Sequence, residues 1–257
     1  ITLSLDAALG KEEYKLTVTK KKIAIVGGSY AGVFYGFQTL KQLLNDGNIP
    51  AVIIEDKPHF AHRGALLDVA RYFFTVEEVK KYIDIIALHK MNVFHWHLTD
   101  DQGWRIEIKS HPRLIEVGSM RKETIVGKQV GSGPYRFDGK PHGGYYTQDE
   151  IRDVVAYAAA RYITVIPEIE MPGHSDEVLA AYPELKCTHN PENQGELCIG
   201  KEATFEMMQA ILDEVIEIFP SEYIHIGGDE ASKENWKLCE DCQRRMREEG
   251  LESVEEL

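Results

Sequence analysis

The chain has 257 residues, 43% of them apolar, and a formal net charge of −13. That length and apolar content allow a packed core and exclude global disorder. An acidic chain with no basic block argues against a nucleic-acid partner, and without a run of about 18 apolar residues no membrane-spanning helix is expected.

The opening stretch, ITLSLDAALGKEEYKL, lacks the basic start and apolar block of a signal peptide. YKLTVTKKKIAIVG then alternates apolar and polar residues as half-buried strands do. Gly27, Gly28 and Gly32 punctuate the chain, VFYGFQTLKQLL reads as an amphipathic helix, and AVIIEDKP reads as a further strand. Residues 1–58 are therefore expected to be a small α+β unit or the end of one. The glycines invite a dinucleotide-site reading, but they do not space as G-x-G-x-x-G, and no Lys-Ser/Thr follows as a phosphate loop requires. A tight strand-to-helix turn explains them better, and no cofactor is expected.

From residue 64 strand and helix alternate. The strand candidates are 65–70, 92–99, 163–170 and 223–228; the helix candidates are 76–90, 148–161, 202–219 and 234–250. The strands are near-continuous apolar runs, as in a parallel sheet covered on both faces. Each ends in chemically capable residues: Asp68 and Arg71, then His97 to Asp101, then Glu170 and His174, then Asp229 and Glu230. Reactive groups at the C-terminal ends of successive strands are what a (β/α)8 TIM barrel offers, whereas a doubly wound sheet concentrates its site at one switch point. Four β/α units, against the eight of a barrel of about 250 residues, imply that residues 59–257 form the N-terminal half of a (β/α)8 catalytic barrel.

Within this frame four clusters carry chemistry. In HWHLTDD, His95 and His97 share one strand face and can bind zinc with Asp100 or Asp101; hydrogen-bonded interior histidines are the better reading. In PEIEMPGHS, Glu168 and Glu170 share a face, and His174 follows a turn from which a histidine can relay a proton or brace a carboxylate. In HIGGDEA, two glycines precede the adjacent acids Asp229 and Glu230. Like charges so close raise at least one pKa, which suits a general acid, while a helix start would also favour acids there. In RGALLDVARYF, Arg63 and Arg71 bracket a strand; an arginine at its end can fork onto sugar hydroxyls or pair with Asp68. Of the four cysteines, Cys187 and Cys198 could close a loop, and Cys239 and Cys242 form a CxxC. A four-thiolate metal site would need both pairs together. They lie far apart in sequence and in unlike contexts, so disulfides or free thiols are expected.

Taken together, HRGALLDVARYF, MNVFHWHLTDDQGWRIEI, VIPEIEMPGHS and IHIGGDEA, in that order, resemble the family 20 glycoside hydrolases, the β-N-acetylhexosaminidases. The resemblance covers essentially the whole chain, and it implies that residues 1–58 are the C-terminal part of a small α+β accessory domain. It implies removal of terminal non-reducing β-linked N-acetylhexosamine (GlcNAc or GalNAc) from an oligosaccharide or glycoconjugate, with retention and with the substrate's own 2-acetamido oxygen as nucleophile. It further implies Glu230 as general acid and base, Asp229 as the group orienting the acetamido N–H, Arg71 as the grip on ring hydroxyls, and Asp100 with His174 as the pair bracing the acid. The mechanism requires no metal. Pocket aromatics are expected from later strands, after Leu257, and export to a periplasmic, secreted or lysosome-like location is implied. Two alternatives from other classes stand beside it: a metal-dependent barrel hydrolase using His95 and His97, and a non-catalytic carbohydrate-binding barrel.

Overall fold

The computed structural model describes residues 1–127, 135–189 and 195–257. The chain divides into two compact units, one of Ile1–Ala65, Glu77–Phe94 and Val154–Val165, the other of Leu66–Val76, His95–Asp153 and Ile166–Leu257.

In the first unit, β1 (Thr2–Leu5), β2 (Tyr14–Val18), β3 (Ile23–Gly27) and β4 (Val52–Asp56) form a four-stranded sheet in the order β1-β3-β2-β4. β1 runs parallel to β3, while β2 is antiparallel to both β3 and β4. Alternation along β2 buries Tyr14, Leu16 and Val18 on one face, and they pack with Ile25 and with Ala31, Val33, Tyr35 and Leu40 of α1 (Tyr30–Leu43). The glycine-rich turn is a packing device: a Cβ at Gly28 would stand 2.0 Å from Gly10 O, and one at Gly32 2.4 Å from Glu13 O. Ser29 caps α1, its Oγ accepting from Ala31 N at 3.1 Å. The β1 strand had no counterpart among the expected elements.

Strand–helix alternation follows. β5 (Gly64–Asp68), β6 (Val93–His97) and the strand Thr164–Glu168 form a three-stranded sheet with β6 in the centre. Hydrogen bonds pair Arg63 with Asn92 and Val69 with His97, and Asn92 with Thr164 and Leu98 with Glu168, so the partners advance together and the strands are parallel. In α2 (Val76–Leu88) the buried residues Val79, Ile83, Ile86 and Ala87 recur at helical spacing. Helices Gln148–Ala159 and Glu202–Ile218 also fall where periodicity places them. Among the described residues no helix is long and apolar enough to cross a membrane.

Three expectations require correction. Residues 223–228 run alongside the Thr164–Glu168 strand, with His225 N donating to Pro167 O and Ile169 N to His225 O, but they form only an isolated bridge. Gly227 and Gly228 take positive φ (62° and 100°), which ends the extended backbone. The expected helix 234–250 is two helices, Glu234–Leu238 and Glu240–Glu249, broken at Cys239, whose backbone is extended. The four cysteines are free of disulfides, one of the two states expected, but the two pairs expected in unlike contexts come together. They meet in one buried cluster with Ile199, Trp236 and Val254, because Gly200 packs directly against Asp241 and Cys242 at the start of the last helix.

Candidate active site

All the strand-end residues expected to act lie in the second unit. Arg71 follows β5. Its backbone N–H and Nη1 both donate to Asp68, and Nη2 pairs with Asp100 at 2.6 Å. The salt bridge to Asp68 weighed against a binding role is therefore present, yet the side chain remains 43% exposed and has donors to offer. Arg63 has a different task in the first unit, where it donates to Glu12 Oε2 and to Lys90 O.

The β6 end supplies His95, His97, Thr99, Asp100 and Asp101. His95 Nε2 donates to Glu168 Oε2 at 2.7 Å, and His225 Nδ1 lies 2.8 Å from Glu168 Oε1. Burial would raise the Glu168 pKa, but the His95 hydrogen bond and the nearby His97 and His225 hold it below the ordinary carboxylate value. His97 is buried; its Nε2 donates to Thr99 O at 2.9 Å, and its Nδ1 lies 3.3 Å from Arg71 Nη1. Burial would lower its pKa; hydrogen bonding to Asp100 and the charges of Glu168 and Asp68 instead keep it raised. Both nitrogens of His97 are thus engaged, and a metal there would have to break those bonds.

Glu170 accepts from Gly228 N at 3.3 Å through Oε2, and its own backbone N–H donates to Thr99 Oγ1. Burial, partly offset by the Gly228 N–H and reinforced by Glu168 and Asp229, pushes its carboxyl up to about 7. A Cβ at Gly227 would stand 1.7 Å from that carboxylate. The glycine pair therefore lets the backbone approach a protein carboxylate closely.

His174 is the pivot. It holds φ 45°, and its Nδ1 donates to Asp101 Oδ2 at 3.2 Å, with Asp100 Oδ1 at 3.6 Å. Its Nε2 lies 3.4 Å from Glu230 Oε2 and 3.6 Å from Asp229 Oδ2. Burial would lower the His174 pKa; the Asp101 hydrogen bond and the charges of Asp100, Asp101 and Glu170 raise it instead. One imidazole thus joins the buried Asp100 and the half-buried Asp101 to an open acid pair. Asp100 is wholly buried, whereas Asp229 and Glu230 are 67% and 79% exposed. The expected Asp100–His174 partnership is shared: Asp101 makes the hydrogen bond, and Asp100 also anchors Arg71. The sequence suggests Asp101 only as a metal ligand beside His95 and His97, and it assigns no role to Glu168, Glu170 or His225. Their signal was their place in the same strand-end motifs. Carboxyl groups held up by burial lie just behind: Asp176 at about 6, and Glu177 well above the usual range.

Acids and histidines gathered at the C-terminal ends of parallel strands define an acid–base site of the α/β class. The chain belongs to glycosyl hydrolase family 20: the family's catalytic domain matches residues 60–257, and its domain 2 matches residues 1–57. A beta-hexosaminidase of Porphyromonas gingivalis is 48% identical over the whole chain, which spans 34% of that relative. One of Vibrio furnissii is 41% identical, again over the whole chain and 44% of the relative. Among solved structures, the GH20 exo beta-N-acetylglucosaminidase of Vibrio harveyi in complex with N-acetylglucosamine superposes with a TM-score of 0.87 at 36% identity, over 99% of this chain and 42% of that one. Such neighbours imply a barrel-type fold. The chain spans about a third to a half of the length of these relatives.

Proposed function

We propose that the whole protein is an exo-acting β-N-acetylhexosaminidase that retains anomeric configuration by substrate-assisted catalysis. The observation that carries this reading is the chain of contacts from Asp100 and Asp101 through His174 to Glu230. In it, Glu230 protonates the leaving glycosidic oxygen and later activates water. His174, its pKa raised against burial by Asp101 and Asp100, steadies the carboxyl and tunes its proton affinity. Asp229 receives the N–H of the substrate acetamide, aligning its oxygen on the anomeric carbon and stabilising the positive charge that develops. Arg71 grips ring hydroxyls from the strand end, braced by Asp68 and Asp100. Adjacent acids serve here because the nucleophile belongs to the sugar; two protein carboxyls flanking one bond would stand about 5 Å or more apart. The neighbour bound to N-acetylglucosamine supports the choice of substrate.

Residues 1–58 are proposed as the accessory α+β domain and 59–257 as the first half of the (β/α)8 barrel, with further pocket walls from later strands. Export of the whole protein is part of the same reading. The test uses the full-length enzyme and an aryl β-N-acetylglucosaminide. Glu230→Gln should lower kcat by about 10²–10⁴-fold, most for poor leaving groups. A thiazoline mimic of the cyclic intermediate should compete with substrate. Equal turnover of a substrate lacking the 2-acetamido group would refute acetamide assistance, loss of activity on chelation would favour metal-dependent hydrolysis at His95 and His97, and background activity throughout would favour a carbohydrate-binding barrel.

A further inference from the structure

The four cysteines lie outside the acid–base machinery. Their Sγ atoms are within 4.8 Å of one another, and all four are buried, with at most 1% exposure. The separations are 3.6 Å for Cys198–Cys239, 3.7 Å for Cys198–Cys242 and 3.9 Å for Cys187–Cys242. Two disulfides would sort the sulfurs into two pairs at about 2.0 Å. Here Cys198 is equally near Cys239 and Cys242, and Cys242 equally near Cys198 and Cys187. Four thiolates around a tetrahedral zinc at about 2.3 Å stand about 3.8 Å from each other, which is the spacing observed.

We propose that Cys187, Cys198, Cys239 and Cys242 bind a single structural zinc ion as four thiolates. The surroundings suit a thiolate cluster. Cys198 accepts from the backbone N–H of Gly200, and Cys239 accepts from the backbone N–H groups of Cys242 and Thr188; such donors offset the charge of a four-thiolate centre and fix its ligands. Cys239 also caps the ten-residue helix Glu240–Glu249, whose N-terminus favours negative charge. Gly200 brings the first loop against the second: a Cβ there would stand 2.1 Å from Cys242 N. Complete burial leaves no open coordination position, so the site is structural and not catalytic.

The ion would clamp Cys187 and Cys198 to the residues that follow Glu230. That junction is already linked by Trp236 Nε1 donating to Leu197 O at 3.0 Å and by Ser232 Oγ donating to Glu196. Leu197 N in turn donates to Pro172 O at 2.8 Å, beside the turn that carries His174. Zinc binding displaces the four thiol protons, requires no redox partner, and stabilises only the folded arrangement.

The test is elemental analysis and intact mass of the full-length protein purified without added metal. About one zinc per chain is expected, resistant to dialysis against a chelator and released by a thiol-binding mercurial, with a denatured mass that shows every cysteine reduced. Cys239→Ser and Cys187→Ser should each lose the zinc and melt at lower temperature. Should they fail to fold, wild-type protein produced with cobalt in place of zinc should show thiolate-to-cobalt charge-transfer absorption and the intense visible bands of a tetrahedral site. Metal-free protein with four free thiols, a mass lower by the hydrogens that two disulfides remove, or bound iron in place of zinc would each overturn the proposal. None of these readouts measures turnover, so a negative result leaves the assignment of Glu230 untouched.

Discussion

At the scale of single residues, the proton affinity of His174 decides how long it stays positive beside Glu230. Burial opposes its charge, and Asp101 and Asp100 restore it. Asp101→Asn removes the hydrogen-bonded charge at 3.2 Å and keeps the shape. The His174 pKa should fall, and the alkaline limb of kcat/KM for the full-length enzyme should move to lower pH, with KM little changed. An unmoved limb would show that His174 does not govern it. Glu177 presents the opposite case. Both of its carboxyl oxygens are buried without a hydrogen-bond partner, and burial holds its pKa well above the ordinary value of 4.5. The folded chain therefore favours its protonated form, whereas the unfolded chain releases that proton above about pH 4.5. Stability is lost as pH rises from there toward the folded pKa. Glu177→Met, similar in volume and apolar, should raise Tm at pH 7 by several degrees, for a gain on the order of 1–3 kcal/mol, and the advantage should shrink as the pH is lowered toward 4.

At the scale of elements, the strand ends are held by groups that touch no substrate in this scheme. Arg105 is wholly buried. Its guanidinium donates to Val69 O, Ala70 O, Gln102 O, Ser119 O and Gly144 O. It thereby fixes the turn after β5 from which Arg71 projects. Burial lowers its pKa to about 10, which leaves it charged at neutral pH. A lysine keeps the charge but not the planar fork, so Arg105→Lys should cost on the order of 3 kcal/mol in chemical denaturation. Through Arg71 it should also raise KM more than it lowers kcat. Gly227→Ala tests the opposite wall. A methyl group cannot share space with the Glu170 carboxylate at 1.7 Å, and φ 62° is unfavourable for alanine. Both Tm and kcat should fall, with Gly228→Ala, where the nearest atom is 3.7 Å away, the milder of the two. These same elements show where sequence periodicity stops being informative. Residues 223–228 are apolar enough for a strand, but their glycines turn the backbone toward Glu170. Cys239 sits in a helical pattern, but its side chain belongs to a cluster that also takes in Cys198, 41 residues away, and Cys187.

At the scale of the whole molecule, the parallel strand–helix pattern and the acids at strand ends were legible because burial on both faces and the pleat leave direct marks in the sequence. The neighbours of each strand end were not. Glu168 gathers His95 and His97 from β6 and His225 from a segment more than 100 residues further on, a convergence that no local spacing announces. It also shapes how stability depends on pH. Glu168 has a lowered pKa, so its contribution is present above the ordinary value of 4.5 and is lost as pH falls through the folded pKa. Glu170 is raised to about 7 and Asp176 to about 6. Each keeps a proton that the unfolded chain gives up near its ordinary value of 4.5 or 3.8, so their effect is a loss of stability as pH rises toward about 7 and about 6. His97 and His174, both raised, contribute fully below 6.5 and lose that contribution as pH rises through their folded pKa values. All but Glu168 therefore favour the acid side. Unfolding free energy measured by denaturant titration across pH should peak at about pH 5, falling gently toward neutrality and more steeply in acid once Glu168 takes up a proton. His97→Gln should flatten the neutral limb by removing one of the two raised histidines. A maximum at pH 7 or above would mean that the buried acids are ionised in the folded protein and that the network is held by charges other than these.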